Sequence, residues 1–319
     1  MIDKLVVVAI GGNSLIPDPA KPDTESQWGA VRETCRHIAD MIHAGWQVVI
    51  THGNGPQVGY IMNRAEIATR VSNLHGVPLD LAVADTQGSI GYMLQQALAN
   101  SLRRVGMNHT VATIITQIRV DPDDPAFANP DKPVGGYLTE AAALAGRLEG
   151  WRVKKETGRG WRRVVASPKP VVINEINAIQ ALVLAGYIVI VCGGGGVPVV
   201  RDEVGSLRGV SAVIDKDRAS SLLAQTLRAD LLLISTGVEK VCLNFNTPQQ
   251  QPLDELTLLQ ARTYLAEGQF PDGSMYPKIE AAIDFVHNGG PRAIITDPPN
   301  ITRALHYETG TRIVPGGSG

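Results

Sequence analysis

The amino-acid sequence predicts an α/β fold, a parallel sheet covered by helices. Two observations carry this. Apolar segments of strand length alternate with amphipathic stretches of helix length along most of the chain. Glycine-rich turns follow directly on three of the predicted strands, where the loops of an open parallel sheet gather at the carboxyl ends.

The elements follow in order. Leu5 to Ile10 is an unbroken apolar run and reads as a buried strand. After Gly11-Gly12-Asn13, the residues Val31, Cys35, Ile38 and Ile42 recur at helical spacing, and Gly45 stops that helix. Gln47 to Thr51 is a second strand, delivering His52-Gly53-Asn54-Gly55-Pro56, so the opening segment reads as one βαβ unit with two glycine loops facing one crevice. Leu79 to Leu102 has a helical pattern and His109 to Ile115 that of a strand. Regularity breaks from Val120 to Pro170, where Asp121-Pro122-Asp123-Asp124-Pro125 and a polar run from Lys154 to Arg163 suit a surface subdomain or lid. Alternation resumes at Val171 with an apolar helix, a strand from Tyr187 to Cys192 and the run Gly193-Gly194-Gly195-Gly196. Helices at Asp217 to Arg228, Asp254 to Glu267 and Pro277 to Asn288, with strands at Leu231 to Ser235 and Ala293 to Thr296, complete the pattern.

A formal net charge of -2 gives no electrostatic reason to expect nucleic acid or an anionic membrane as partner. No apolar run approaches the roughly 20 residues that span a bilayer. Met1-Ile2-Asp3-Lys4 leads straight into the first strand without the marks of an export leader, so a cytoplasmic location is expected. Cys35, Cys192 and Cys242 are far apart and form no C-x-x-C pair; the first two fall in apolar patterns and are expected to be buried.

Glycines at a strand end let backbone N–H groups converge on an anion, and phosphate is the natural guest. A single Gly-Gly pair is as readily a tight turn. Three such loops, at Gly11, Gly53 and Gly193, favour one shared polyanion site. The sequence has no G-x-x-x-x-G-K-[ST], and Gly53-x-Gly55-x-x-x-Gly59 misses the dinucleotide spacing by one residue. Spellings for a serine hydrolase, a zincin or a protein kinase are absent as well. His52 reads as a structural hydrogen-bonding residue rather than a base. Phosphoryl transfer needs cations at the transferred group, and Lys132, Lys216 and Lys278 each stand at an element boundary.

The longer strings are those of a known family. Gly11-Gly12-Asn13-Ser14-Leu15, His52-Gly53-Asn54-Gly55-Pro56-Gln57-Val58-Gly59, Gln87-Gly88-Ser89-Ile90-Gly91-Tyr92, Asp124-Pro125-Ala126-Phe127, Gly160-Trp161-Arg162-Arg163-Val164-Val165, Cys192-Gly193-Gly194-Gly195-Gly196-Val197-Pro198, Val213-Ile214-Asp215-Lys216-Asp217 and Gly310-Thr311-Arg312-Ile313-Val314 occur in order along the chain. Together they resemble the carbamate kinases, over essentially the whole length. The resemblance implies one domain over 1–319 with the amino acid kinase fold, an open three-layer α/β/α sandwich, and makes 120–170 its protruding subdomain. It implies a phosphoryl-acceptor half at 1–175, a nucleotide half at 176–319, and a homodimer.

By the same resemblance Gly11, Gly12, Asn13, Gly53, Asn54 and Gly55 would hold the phosphoryl group and the carbamate. Gly194, Gly195, Lys216, Gly237, Val238, Met275, Tyr276 and Lys278 would hold the nucleotide. Ala9 stands where the wider superfamily carries a lysine, and Lys132 would supply that charge from the protruding segment. Lys216 would balance charge at the phosphoryl group, Asp215 would orient the lysines, and Lys278 would meet the nucleotide phosphates. ATP or ADP with Mg²⁺ is the implied cofactor, with no metal held by protein residues, and carbamate or carbamoyl phosphate the implied substrate. Tyr276 and Asp131 replace the usual glycine and threonine, Gly237 a common aspartate, and Gly135-Gly136-Tyr137 the usual Gly-Pro-aromatic. These departures flank the implied site and keep two alternatives open, a kinase of the same superfamily with another carboxylate or carbamoyl-like acceptor and a ligand-binding homologue with weakened catalysis.

Overall fold

The computed structural model describes residues 4–12, 15–16, 23–156, 158, 160–271 and 273–316. Strand β1 (Lys4–Ile10) is followed by α1 (Thr24–His43), whose N-cap Asp23 accepts from the Ser26 N–H at 2.9 Å. Gly45, at φ +88°, ends the turn out of α1 and admits β2 (Trp46–His52). The second glycine loop runs straight into α2 (Gly55–Ser72), a helix that buries only Gln57, Val58 and Gly59 and rides on the surface beyond them. Then come α3 (Leu79–Arg104) and β3 (Val111–Thr113), shorter than the apolar run suggests because this edge strand pairs over only three residues.

Next along the chain are β4 (Gln117–Val120), the one-turn α4 (Pro125–Ala128), β5 (Lys132–Leu138), α5 (Glu140–Leu148), β6 (Arg152–Glu156), β7 (Gly160–Val165) and β8 (Pro170–Ile173). After these stand α6 (Ile176–Leu184), β9 (Ile188–Ile190), a 3₁₀ turn at Gly193–Gly195, β10 (Val197–Arg201), β11 (Leu207–Gly209) and α7 (Lys216–Leu227). The chain continues with β12 (Leu231–Ser235), β13 (Cys242–Leu243), β14 (Gln251–Pro252), β15 (Glu255–Thr257) and α8 (Leu258–Ala266). It closes with α9 (Tyr276–His287), β16 (Ala293–Thr296), α10 (Ile301–Leu305) and β17 (Thr311–Val314). The helix expected from Asp254 starts later, because Glu255–Thr257 pairs with β17 as a strand and Thr257 then forms a capping box with Gln260.

The main sheet has the order β15-β17-β16-β12-β1-β2-β9-β3. Its one antiparallel junction is β16 with β17; every other pair is parallel. Side chains of β1 alternate between two cores, as the two-residue period of a strand requires. Val6, Val8 and Ile10 pack with α1, α3 and α10, whereas Val7 and Ala9 pack with α6, α7 and α9. The result is an α/β/α sandwich. Cys35 and Cys192 are fully buried, one in each core, and burial pushes both thiols upward.

A second sheet, β11-β10-β4-β8, flanks the first, and a three-stranded antiparallel sheet β5-β7-β6 carries α5. The stretch between β4 and β8, which pair with each other, holds that small sheet. Its polar Lys154 to Arg163 run is the β6–β7 hairpin, with the Arg147 guanidinium 4.9 Å from the Trp161 ring and that of Arg163 4.4 Å from Trp151. Although β9 lies past residue 175, it stands between β2 and β3, so strands from the two parts of the chain interleave.

Candidate active site

The carboxyl ends of β1, β2 and β12 and the turn after β9 meet at one place. Gly11 N–H donates to Ser235 O at 3.1 Å, and a Cβ on Gly11 would lie 2.7 Å from that oxygen. Gly53 N–H donates to Ile10 O at 3.0 Å, and a Cβ there would lie 3.2 Å from the Lys216 stem and 3.8 Å from Gly12 N. The first two glycine loops and Lys216 thus share one cradle, with no room for a side chain at Gly11 and little at Gly53. Asn54, buried, donates its amide to Thr86 Oγ1 on α3 at 2.9 Å instead of capping α2, which leaves the helix start at Gly55 open to an anion. Asn13 lies outside the described residues.

The Gly193 run packs against this cradle. Side chains at Gly193, Gly194 and Gly195 would strike His52 Nε2 at 2.4 Å, Asn54 Nδ2 at 2.2 Å and Ile214 O at 2.2 Å, and Gly194 and Gly195 have positive φ. His52 is fully buried with Nδ1–H donating to Gly53 O at 2.9 Å; burial lowers its pKa to about 4, so it is a neutral spacer between two loops.

Charges gather at the start of α7. Lys132, at the head of β5, donates to Asp215 Oδ2 at 2.8 Å, and Asp215 also caps α7 by accepting from Asp217 N–H at 2.9 Å and Arg218 N–H at 3.4 Å. Burial raises the Asp215 pKa, but Lys132, then Lys216 and the cap hydrogen bond, outweigh it and hold the carboxyl well below the usual range. Asp217, 2 % exposed, pairs with Lys216 through Oδ1 and with Lys278 through Oδ2 at 3.3 Å. Burial lowers the Lys216 pKa against the pull of Asp217. Lys278 donates further to Ser274 O at 3.0 Å. The four residues singled out for catalysis therefore form two ion-paired groups, Lys132 with Asp215 and the two lysines Lys216 and Lys278 around Asp217, and the Asp217 N–H on Asp215 Oδ1 joins them; the sequence reading gave Asp217 no role. An aspartate on each side of Lys216 at a helix start was the signal available for it.

Beside these ion pairs opens a cavity of about 340 Å³, within the size range of small-ligand sites. Gly11 and Gly12 form one wall; Thr236, Gly237 and Val238 after β12 form another. Phe245, Phe270, Met275 and Lys278 line the remainder with Lys240 and the half-buried Cys242. Gly237, Val238, Met275 and Lys278, expected at the nucleotide, all line this one cavity. Gly194 and Gly195 line the Asn54 side instead, away from this cavity. Tyr276 lies outside the lining too, its ring packed on the core under α7 and α9. Asp131 is exposed, and Lys132 pairs with Asp215 instead.

Residues 4–297 match the amino acid kinase family. The chain belongs to that family. Among curated members, the carbamate kinase-like protein YahI of Escherichia coli (strain K12) is 49% identical over 98% of this chain and 99% of its own. The carbamate kinase of Pyrococcus furiosus is 48% identical over the same shares. A solved structure of carbamate kinase from Giardia lamblia bound to AMP-PNP is 40% identical, covers 98% of this chain and 99% of its own, and superposes with a TM-score of 0.90.

Among the described residues of its glycine loops the molecule offers no charged histidine base, since His52 is neutral and turned into the protein. What it offers is a line of cations between a glycine cradle and an apolar-walled cavity, which suits an anion moving from one to the other. Among the described residues no three His, Cys, Asp or Glu side chains converge as metal ligands.

Proposed function

We propose that this amino acid kinase is a carbamate kinase, passing a phosphoryl group between carbamoyl phosphate and ADP in either direction. The observation that carries the reading is the linkage of Lys132, Lys216 and Lys278 through Asp215 and Asp217 at the junction of cradle and cavity. Relatives 44–49% identical that are named carbamate kinase or carbamate kinase-like support it. In this reading the cavity takes the nucleotide, with Gly237, Val238 and Met275 against it. The loops at Gly11 and Gly53 take the carbamate and the transferred group, and the start of α2 faces its oxygens. An anionic carbamate oxygen forms the new bond to phosphorus as the bond to the nucleotide's bridging oxygen breaks. No proton has to leave the nucleophile, which agrees with a site lacking a base.

Lys132 and Lys216 neutralise the equatorial oxygens and Lys278 the bridging side; Asp215 and Asp217 keep three cations within one site. Mg²⁺ would screen the nucleotide phosphates. Asp215 and Asp217 are both engaged with lysines, so the residues present fit a metal that arrives on the nucleotide. Residues up to 175 supply the acceptor loops and Lys132, and later residues supply most of the nucleotide cavity. A cytoplasmic homodimer belongs to the same reading, with the exposed Leu81 and Tyr92, three turns apart on α3, as apolar surface for a second copy.

The test is ATP formation from carbamoyl phosphate and ADP with Mg²⁺, read by a coupled hexokinase signal against a blank. Saturable turnover is expected, with Lys132→Ala lowering it on the order of 10³-fold or more while the protein stays folded. A folded, ADP-binding protein without turnover on carbamoyl phosphate but active on another carboxylate would move the reading to that acceptor.

A further inference from the structure

Lys132 reaches the site from a small sheet outside the main sandwich, so something must fix where that sheet stands. The contact that does so is between two glycines. A Cβ on Gly59, in the second turn of α2, would lie 2.1 Å from Gly135 Cα and 2.6 Å from Gly135 N. Both clashes are with backbone, which no rotamer change relieves. Gly135 has φ +73° and stands at the start of a break in pairing, where β5 and β7 shift register between Val134 and Leu138. Three residues upstream is Lys132.

The segment from this crossing to Lys132 is held on the other side as well. Val134 packs with Val58 of α2, Val165 of β7 and Val213, two residues before Asp215. Lys132 pairs with Val165 in the ladder, and Val213 N–H donates to Ala166 O at 2.9 Å beside a bridge between Ala166 and Ala212. The strand carrying the lysine and the segment carrying its carboxylate are thus referenced to one another through the end of β7, and Val58 of α2 packs on the same cluster. We infer that Gly59 and Gly135 are positioning residues: their backbone-to-backbone crossing sets the height of β5 on α2 and so brings Lys132 to Asp215 and the phosphoryl site. Gly59, within the glycine string after β2, then serves the packing of the small sheet rather than an anion. The inference rests on the proposed phosphoryl transfer for its kinetic consequence and on the Lys132–Asp215 geometry alone for its structural one.

Gly59→Ala tests it. Alanine is the better helix former, so α2 itself gains and the cost falls on the crossing. The full-length variant is expected to bind ADP as the parent does while its kcat on carbamoyl phosphate falls on the order of 10²-fold, the scale of an ångström of misplacement. In a Lys132→Ala background the same substitution should cost no more than about threefold, because the group it displaces is gone. Equal losses in both backgrounds, lost ADP binding, or unchanged kcat would overturn the proposal.

A second arm does not depend on the acceptor. Non-additivity of Lys132→Ala and Asp215→Asn in urea unfolding should be present with Gly59 and collapse in Gly59→Ala; its persistence would refute the positioning role even if carbamoyl phosphate proved not to be the substrate. Should Gly59→Ala fail to fold, Gly135→Ala, whose Cβ would meet Gly59 Cα at an ordinary 3.6 Å but whose φ of +73° a side chain strains, displaces the same stretch of β5 at the crossing and carries the same two expectations. Gly136→Ala, whose Cβ would meet nothing within 4 Å, is the silent control.

Discussion

Asp217 holds two lysines on two helices, one with each carboxylate oxygen. With 3 % of its side chain exposed, it cannot be replaced by water. Asp217→Asn should therefore leave Lys216 and Lys278 repelling each other, cost ~3 kcal/mol in urea unfolding, and raise the KM for ADP; unchanged urea midpoints would show that the lysines relax elsewhere. Two buried groups give stability a pH dependence in separate windows. The His52 pKa falls from 6.5 to about 4 on folding, so the unfolded chain takes the proton first and stability declines as pH drops between those values. The slope is at most ~1.4 kcal/mol per pH unit. Asp215 is depressed instead, so its contribution is complete above the ordinary carboxylate pKa and drains only below it. Denaturant midpoints at about pH 7, 4 and 2.5 separate the two: His52→Gln flattens the upper interval, and Asp215→Asn flattens the lower. Lys132, Lys216 and Lys278 were legible as residues because phosphoryl transfer demands cations near glycine loops, and Asp215 only through the family resemblance. Their grouping was not, because it depends on which carboxylate each lysine meets across the fold.

Glycines separate the elements that form the site from those that support it. Gly29 and Gly88 are exposed on α1 and α3 and a Cβ on either would meet nothing within 4 Å. Alanine there removes a helix penalty and should raise stability by up to ~1 kcal/mol each. Gly195→Ala has the opposite sign, since φ is +92° and the new Cβ would press on Ile214 O, one residue before Asp215; a loss of ~2 kcal/mol or more with a matching loss of turnover is expected. Thermal melts of the three variants check both directions. The elements themselves were readable where one face or both are apolar: β12 and β16 fall where the runs Leu231 to Ser235 and Ala293 to Thr296 begin and end. Helix α2 was not, because past Gly59 it buries nothing and so shows no apolar period. The Gly193 run was readable as a loop, but its packing on Asn54 rather than beside the cavity depends on β9 standing next to β2.

The whole molecule sets the proposed nucleotide cavity against the core that holds Phe270 and Met275, so a nucleotide that binds only the folded chain adds directly to its stability. ADP with Mg²⁺ at about a hundred times its Kd should add ~2.7 kcal/mol, and Lys278→Ala should diminish the shift at equal ADP while leaving the unliganded melt little changed; an equal shift would remove Lys278 from the nucleotide contacts. The strand order has a different consequence, for synthesis. Strand β1 lies between β2 and β12, with Val6 beside Leu231, and β2 lies between β1 and β9, with Val49 beside Val189. The ribosome thus releases the first two glycine loops long before the strands that flank them exist. A nascent chain must carry β1 and β2, among its most apolar segments, unpaired on their outer edges until most of the polypeptide has been made. The earliest-made residues are thus the ones that wait longest for their outer neighbours before they become part of a site.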